Sequence, residues 1–174
     1  MKKPTWLTIG RVWDVLAILI VLFIAWKWLI APRSLKDADA FPAPHVSYAL
    51  LDGGKYALTD HRGRVVFLDF WASWCEPCKL SLPLVESYAR KHPEIDVVPV
   101  DVGEARAVAA SYASHHGLRN VALDPASSST GYFQLDGFPT IVVVDPQGRI
   151  RASWQGFNPA VALNMANAEK SLSH

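Results

Sequence analysis

The sequence predicts an α/β domain built on a central mixed sheet with helices on both faces and an extra N-terminal hairpin, preceded by one transmembrane helix. Three observations point there. From residue 45 onward, short apolar runs alternate with helix-compatible stretches in the order ββ-βα-βα-(βα)-ββ-α, the pattern of a layered sheet-and-helix domain. The strand pairs that open and close that order are joined by Gly-containing turns, at Gly53-Gly54 and at Asp145-Pro146-Gln147-Gly148, so part of the sheet is antiparallel. Near the N-terminus, residues 12–31 read VWDVLAILIVLFIAWKWLIA. Twenty residues of helix span about 30 Å, the thickness of a hydrocarbon core.

Residues 1–11 form an N-terminal segment, 12–31 the anchor, 32–44 a linker with three prolines, and 45–174 the domain. Asp14 and Lys27 bound the charge-free stretch and are expected near the two interfaces. Lys27 can snorkel there, and Trp13, Trp26 and Trp28 suit interfacial belts. A cleaved signal peptide competes with the anchor, because its apolar region is typically this short, and Ala38-Asp39-Ala40 has an Ala-x-Ala form. That site lies beyond Pro32, Arg33, Lys36 and Asp37, while Trp28-Leu29-Ile30-Ala31 lengthen the apolar span to membrane width. A retained anchor is therefore expected. Lys2, Lys3 and Arg11 precede the span and Lys27, Arg33 and Lys36 follow it, so the positive-inside rule is close to a tie.

Within the domain, 45–52 and 55–59 read as a hairpin around the glycine pair, and 60–63 as a second turn. Residues 65–71 are nearly all apolar, as expected of a central strand buried on both faces. A helix leads out of this strand to Lys91, with Leu80, Leu84, Val85 and Tyr88 at helical spacing. Pro77 falls in its first turn, where the missing N–H is harmless, and Pro83 lies inside it. Residues 95–102 form a second buried strand. Residues 104–116 form an Ala-rich helix ended by Gly117. A short strand is expected at 121–123 and a short helix at 125–135. Residues 141–144 and 149–155 form a hairpin, and 159–172 a last helix with Pro at its start.

The chain has 174 residues and a formal net charge of +1, with its basic residues scattered. That charge pattern gives no footprint for a nucleic-acid partner. Its only two cysteines are Cys75 and Cys78, separated by Glu76 and Pro77. Two thiols at this spacing can open and close a small disulfide ring. At a helix N-terminus, the first thiol feels orphan N–H groups that favour thiolate, the form that attacks disulfides. A structural zinc site needs about four ligands, and none of the six histidines has finger-like spacing to the pair. Haem attachment needs a His where Lys79 stands. A structural disulfide across so small a loop would remove little chain entropy. Redox chemistry is the remaining expectation, with no metal and no cofactor. A thiol-based copper-binding module is the non-enzymatic alternative, since thiolates suit Cu(I); no Met or His cluster accompanies the pair.

The segment Phe67-Leu68-Asp69-Phe70-Trp71-Ala72-Ser73-Trp74-Cys75-Glu76-Pro77-Cys78-Lys79 resembles the active-site segment of thioredoxins. Gly137-Phe138-Pro139-Thr140, before an apolar strand, resembles the cis-proline loop. With an anchor and a leading hairpin, the chain is similar to the TlpA/ResA-like branch of membrane-tethered, extracytoplasmic thiol-disulfide oxidoreductases. The resemblance implies a thioredoxin-like fold, with Cys75 as the exposed nucleophile and Cys78 as the buried resolving thiol. Pro139 would be cis and face an incoming peptide, with Trp74, Pro77 and Phe138 lining the substrate groove. Trp71 and Trp74 would also shield the site by packing. Asp69 takes the position of the buried acid, a proton acceptor whose pKa burial raises. Glu76 places a negative charge that opposes thiolate formation. The resemblance further implies a monomer in the bacterial inner membrane, single-pass, with its domain in the periplasm or otherwise outside the cytoplasm. Its partners would be exported disulfide or dithiol proteins, such as apocytochrome c, and a membrane thiol-relay electron donor of the DsbD/CcdA kind. A disulfide oxidase or isomerase is the alternative within the same chemistry.

Overall fold

The computed structural model describes the backbone of residues 6–29 and 41–173 and the side chains of 12–27 and 41–173. The Ala-x-Ala stretch, residues 32–40 of the linker and the charges at Lys2, Lys3, Arg33 and Lys36 lie outside these residues. Helix α1 (Trp6–Leu29) is continuous over 24 residues. Its large apolar side chains, Val15, Leu19 and Phe23 among them, are exposed. Its described side chains end at Lys27, before the C-terminal end of the apolar run, and among the described residues no helix is long and apolar enough to cross a membrane.

The domain is one mixed sheet. In chain order its strands are β1 (Phe41–Pro42), β2 (Ser47–Leu50), β3 (Lys55–Ala57), β4 (Val66–Trp71), β5 (Asp96–Val102), β6 (Ala122–Asp124), β7 (Thr140–Val144) and β8 (Arg149–Gln155). They lie side by side as β1-β8-β7-β4-β5-β6-β2-β3. The helices are α2 (Glu76–Lys91), α3 (Arg106–His116), α4 (Ser128–Tyr132) and α5 (Val161–Leu172), with a 3-10 turn at Leu58–His61. β4 runs parallel to β5 and antiparallel to β7, and all six of its residues are buried. Each large apolar side chain so buried contributes about 1.5–3 kcal/mol. The glycine-turn hairpin β2–β3 joins the sheet through β6.

Period-two alternation sorts β4 between two layers. Val66, Leu68 and Phe70 pack with Leu58 of the 3-10 turn and with Phe133 and Leu135 after α4. Phe67 points the other way, against Val85 of α2 and Met165 of α5. Trp71, on that same side, meets Cys75, Cys78, Leu82 and Ala113 of α3. Asp69 lies between Phe67 and Trp71 on the strand, and so beneath the start of α2.

Three expectations are corrected. β1 lies inside the stretch read as linker: Phe41 pairs with Ile150 and Pro42 with Arg149, and Ala43 N–H donates to the Gly148 carbonyl at 2.9 Å. Two residues carry no period, and proline is at home on an edge strand. Leu80 and Leu84 are exposed; the buried face of α2 is Cys78, Ser81, Leu82, Val85, Glu86 and Tyr88. Cys78 must face inward to meet Cys75, and that sets the rotation of the whole helix. Helix α3 starts at Arg106, because Glu104 leaves the helix to bind the loop before Cys75.

Candidate active site

Strand β4 ends at Trp71, and the chain turns through Ala72, Ser73 and Trp74 into α2. Cys75 is the N-cap residue of that helix, with an extended backbone, and its Sγ accepts the Cys78 N–H at 3.2 Å. Its carbonyl accepts from Cys78 and Lys79, at 3.1 and 3.3 Å. Glu76 and Pro77 occupy the first turn, where Pro77 has no N–H to leave unpaired. Cys75 and Cys78 are joined, S–S 2.04 Å. Cys78 is fully buried and Cys75 is 4 % exposed. The expected order of burial is present, but Cys75 is recessed rather than exposed. The neighbours that recess it are Trp71, Leu82 and the loop of Phe138.

Phe138–Pro139 is the cis peptide bond. Register delivers this loop to the disulfide: Thr140 pairs with Phe70 and with Gln155. The Pro139 carbonyl accepts Gly156 N–H at 2.7 Å, and Thr140 Oγ1 donates to the Gly137 carbonyl at 2.6 Å. Pro139 is buried and Phe138 half-buried. Trp74 is 65 % exposed and meets Phe138 edge-on, ring centroids 5.9 Å apart. Trp74 and Phe138 therefore form an apolar rim over the disulfide, open to a partner. Of the two, only Trp71 shields by burial, its ring tilted against Tyr112 with centroids 5.0 Å apart. Pro77 is exposed beside the motif.

Asp69 is completely buried, and neither of its carboxylate oxygens has a hydrogen-bond partner. Burial pushes its pKa up to about 7. It is thus poised to accept a proton near neutral pH, the property a general base needs. Glu76 is different. Its side chain is 79 % exposed and its Oε1 accepts from Lys79 Nζ at 2.5 Å, which raises the Lys79 pKa. Solvent and Lys79 screen most of its charge. Glu76→Gln should therefore lower the Cys75 thiol pKa, and only by a fraction of a unit. Titration of thiolate absorbance checks this; an unchanged or raised pKa removes Glu76 from the electrostatics of the thiols.

Sequence reasoning missed Ser73, Asp101 and Glu104. Glu104 accepts from the Ser73 N–H and from the Ser73 hydroxyl, both at 2.6 Å. Asp101 is fully buried, opposite Trp71 in the β4–β5 ladder. An acid inside the apolar run 97–102 was the available signal for Asp101. Nothing local marks Glu104, which reaches across 31 residues. His92, Glu94 and Glu169 bring possible metal donors within 4.8 Å of one another. They sit at the opposite end of α2, where His92 Nδ1 hydrogen-bonds Glu94 at 3.0 Å and lies 3.2 Å from Glu169 Oε2.

Two cysteines that close a ring over a helix N-terminus, faced by a cis-proline loop and underlain by an unpaired acid, are equipped for thiol–disulfide exchange. Fold and site together define a thioredoxin-fold thiol-disulfide oxidoreductase. Comparison with known proteins agrees. The pattern of a family described as thioredoxin-like matches residues 63–150. The thiol-disulfide oxidoreductase ResA of Geobacillus thermodenitrificans is 30 % identical over 158 residues, 87 % of this chain and 88 % of that protein. ResA of Bacillus thuringiensis (strain Al Hakam) is 29 % identical over 111 residues, 62 % of this chain and 64 % of that one, just under two thirds of its length. A solved structure described as a thiol:disulfide interchange protein DsbE, from Chlorobium tepidum, is 26 % identical with a TM-score of 0.66, covering 83 % of this chain and all of that one. The chain belongs to the thioredoxin-like family.

Proposed function

We propose that this protein is a membrane-tethered reductase that acts outside the cytoplasm on disulfides of exported proteins. The observation that carries the reductive direction is the surroundings of the sulfurs. Cys75 is recessed, Cys78 is fully buried, Asp69 lies unpaired beneath them and Glu76 beside them. Burial and negative charge both disfavour thiolate. A dithiol whose ionised form is not stabilised is the reducing partner, whereas a strong oxidant stabilises its reduced form. The helix N-terminus acts the other way, and its effect weakens within the first turn.

In the forward reaction the Cys75 thiolate attacks one sulfur of the substrate disulfide. The other substrate sulfur leaves as a thiolate and takes up a proton. Cys78 passes its proton to Asp69 and attacks Cys75 Sγ, which releases the second substrate thiol and closes the Cys75–Cys78 bond. Two electrons and two protons move to the substrate. An extracytoplasmic thiol relay of the DsbD/CcdA kind would return them. An apocytochrome c with an oxidised Cys-x-x-Cys is a fitting substrate, as an extended segment beside Pro139 under the Trp74–Phe138 rim.

Tethering is supported by α1. Between Asp14 and Lys27 its side chains are charge-free, and the exposed Val15, Leu19 and Phe23 leave apolar surface that suits lipid. Topology and direction are tested separately. A membrane-impermeant thiol reagent should label reduced Cys75 in intact spheroplasts; labelling only after lysis would put the domain in the cytoplasm. Equilibration with redox buffers should give a potential near that of a reductant, about −270 mV, and not that of an oxidant at about −120 mV, the two being roughly 7 kcal/mol apart. A value at the oxidising end would make the protein an oxidase.

A further inference from the structure

The end of α2 away from the disulfide gathers a nitrogen and two carboxylates. His92 caps the helix, Glu94 follows in the turn to β5, and Glu169 lies in the last turn of α5. Their donor atoms all lie within 4.8 Å of one another. His92 Nδ1 is 3.0 Å from Glu94 Oε1 and 3.2 Å from Glu169 Oε2. Ligands about 2.0–2.1 Å from a tetrahedral zinc ion stand roughly 3.3 Å apart, so both separations are close to a tetrahedral edge. The ligands are also held in place. The His92 ring stacks on Tyr88 with centroids 4.1 Å apart, and the Tyr88 hydroxyl donates to Glu169 Oε2. Hydrogen bonds from such outer partners orient the ligands of metal sites.

The charges of the cluster do not close by themselves. Nδ1 has at most one proton to offer two carboxylates. An imidazolium would leave one net negative charge, whereas a neutral imidazole with a divalent ion leaves none. The C-terminal ends of α2 and α5 meet here, and their last carbonyls add partial negative charge. Lys91 and Lys170 lie in those last turns, but both are exposed, and among the described residues neither forms an ion pair with the cluster.

We infer that His92, Glu94 and Glu169 bind a zinc ion that ties α5 to the end of α2, with water completing its coordination. The donor set selects the metal. One imidazole and two carboxylates suit zinc, whereas copper(I) prefers sulfur and calcium takes six to eight oxygens. The expectation of no metal rested on histidine spacing to the cysteines, and this site does not use them. The 16 residues of α2, about 24 Å of helix, separate it from Cys75. Its work is structural. Helix α5 packs on α2 through Met165 and Leu172 against Val85 and Tyr88, and an ion held only by the folded chain stabilises that packing.

The experiment titrates zinc chloride into the metal-free, untagged full-length chain in detergent micelles, with the Cys75–Cys78 bond closed so that no thiolate competes. Calorimetry reads stoichiometry and affinity, and the visible absorption of cobalt(II) reads tetrahedral geometry. One zinc per chain should bind at micromolar concentrations. At a hundred times the dissociation constant, the thermal unfolding midpoint should rise by about 5–10 °C. Glu94→Gln, at an exposed turn position that the fold does not need, should weaken binding at least about tenfold, and so should His92→Gln. Tyr88→Phe keeps the ring stack, loses only the hydroxyl, and should weaken binding by about tenfold. His61→Gln removes the His61–Asp96 pair, 2.6 Å apart, and should leave binding unchanged. The absence of saturable zinc binding overturns the inference, as does zinc binding that survives both Glu94→Gln and His92→Gln. Calcium or magnesium bound as well as zinc would also overturn it, making the cluster an acidic surface only.

Discussion

Cys75→Ser should abolish disulfide exchange, and Cys78→Ser should arrest it at a mixed disulfide. The asymmetry follows from position. Cys75 Sγ is the helix cap, accepting Cys78 N–H at 3.2 Å, and Cys75 is the residue of the pair that keeps some exposure. A thiolate there gains from the hydrogen bond and from the helix N-terminus. Cys78 sits one turn deeper, against Trp71 and Leu82 with no exposed surface, and can only meet a sulfur already bonded to Cys75. The reduced wild-type protein should therefore be alkylated at Cys75 at least about tenfold faster than at Cys78. Both rates should lie below that of an open thiol, because Cys75 is recessed. Peptide mapping after timed alkylation reads the ratio, and equal rates would defeat the assignment. Cys78→Ser chains should accumulate covalent complexes that dissolve on reduction; their absence would leave Cys78 without its resolving role.

Asp69→Asn should slow the second step of exchange by about 10²-fold while leaving the first nearly intact. Cys78 must lose its proton before it attacks the mixed disulfide, and Asp69 is the unpaired acid beneath the start of α2. Stopped-flow kinetics with a model disulfide separates formation of the mixed disulfide from its resolution. An unchanged second step at neutral pH would make the acid structural. The same substitution should stabilise the fold. Asp69 has its pKa raised from 3.8 to about 7 by burial, so the native state holds its proton more tightly than the unfolded chain does. Stability from this group is full below the unfolded pKa and declines as pH rises through the native one. By pH 8 the loss is on the order of 4 kcal/mol. Asn, neutral at every pH, avoids it. Denaturant unfolding at pH 4 and pH 8 should show the variant gaining at the higher pH. Asp101, whose pKa burial also raises, changes stability in the same direction in both chains, so the difference between them isolates Asp69.

Much of this protein is legible locally. The apolar run 65–71 announces the central strand because burial on both faces leaves no place for polar alternation. Cys-Glu-Pro-Cys announces its chemistry because sulfur spacing, proline and helix start are all encoded within a few residues. The Gly53-Gly54 and Asp145-Gly148 turns announce their hairpins for the same reason. Asp69 stands out as the one acid in its strand, and Pro139 through the resemblance of its loop. What the sequence by itself determined is therefore the thioredoxin-like layering and the identity of the reacting thiols.

Tertiary structure decided what depends on contacts between distant segments. Phe41 and Pro42 become a strand only because β8 presents a free edge to them. Leu80 and Leu84 turn outward because the position of Cys78 fixes the rotation of α2, a constraint that helical periodicity does not carry. Cys75 is recessed rather than exposed because the Phe138 loop, delivered by the β4–β7 register, closes over it. Trp74 is left as an open rim for the same reason. The Ser73–Glu104 hydrogen bonds join residues 31 apart. Periodicity and turn chemistry report only on neighbours along the chain, whereas burial of a cysteine, the Ser73–Glu104 hydrogen bonds and the rim of a groove are set by which strands lie side by side.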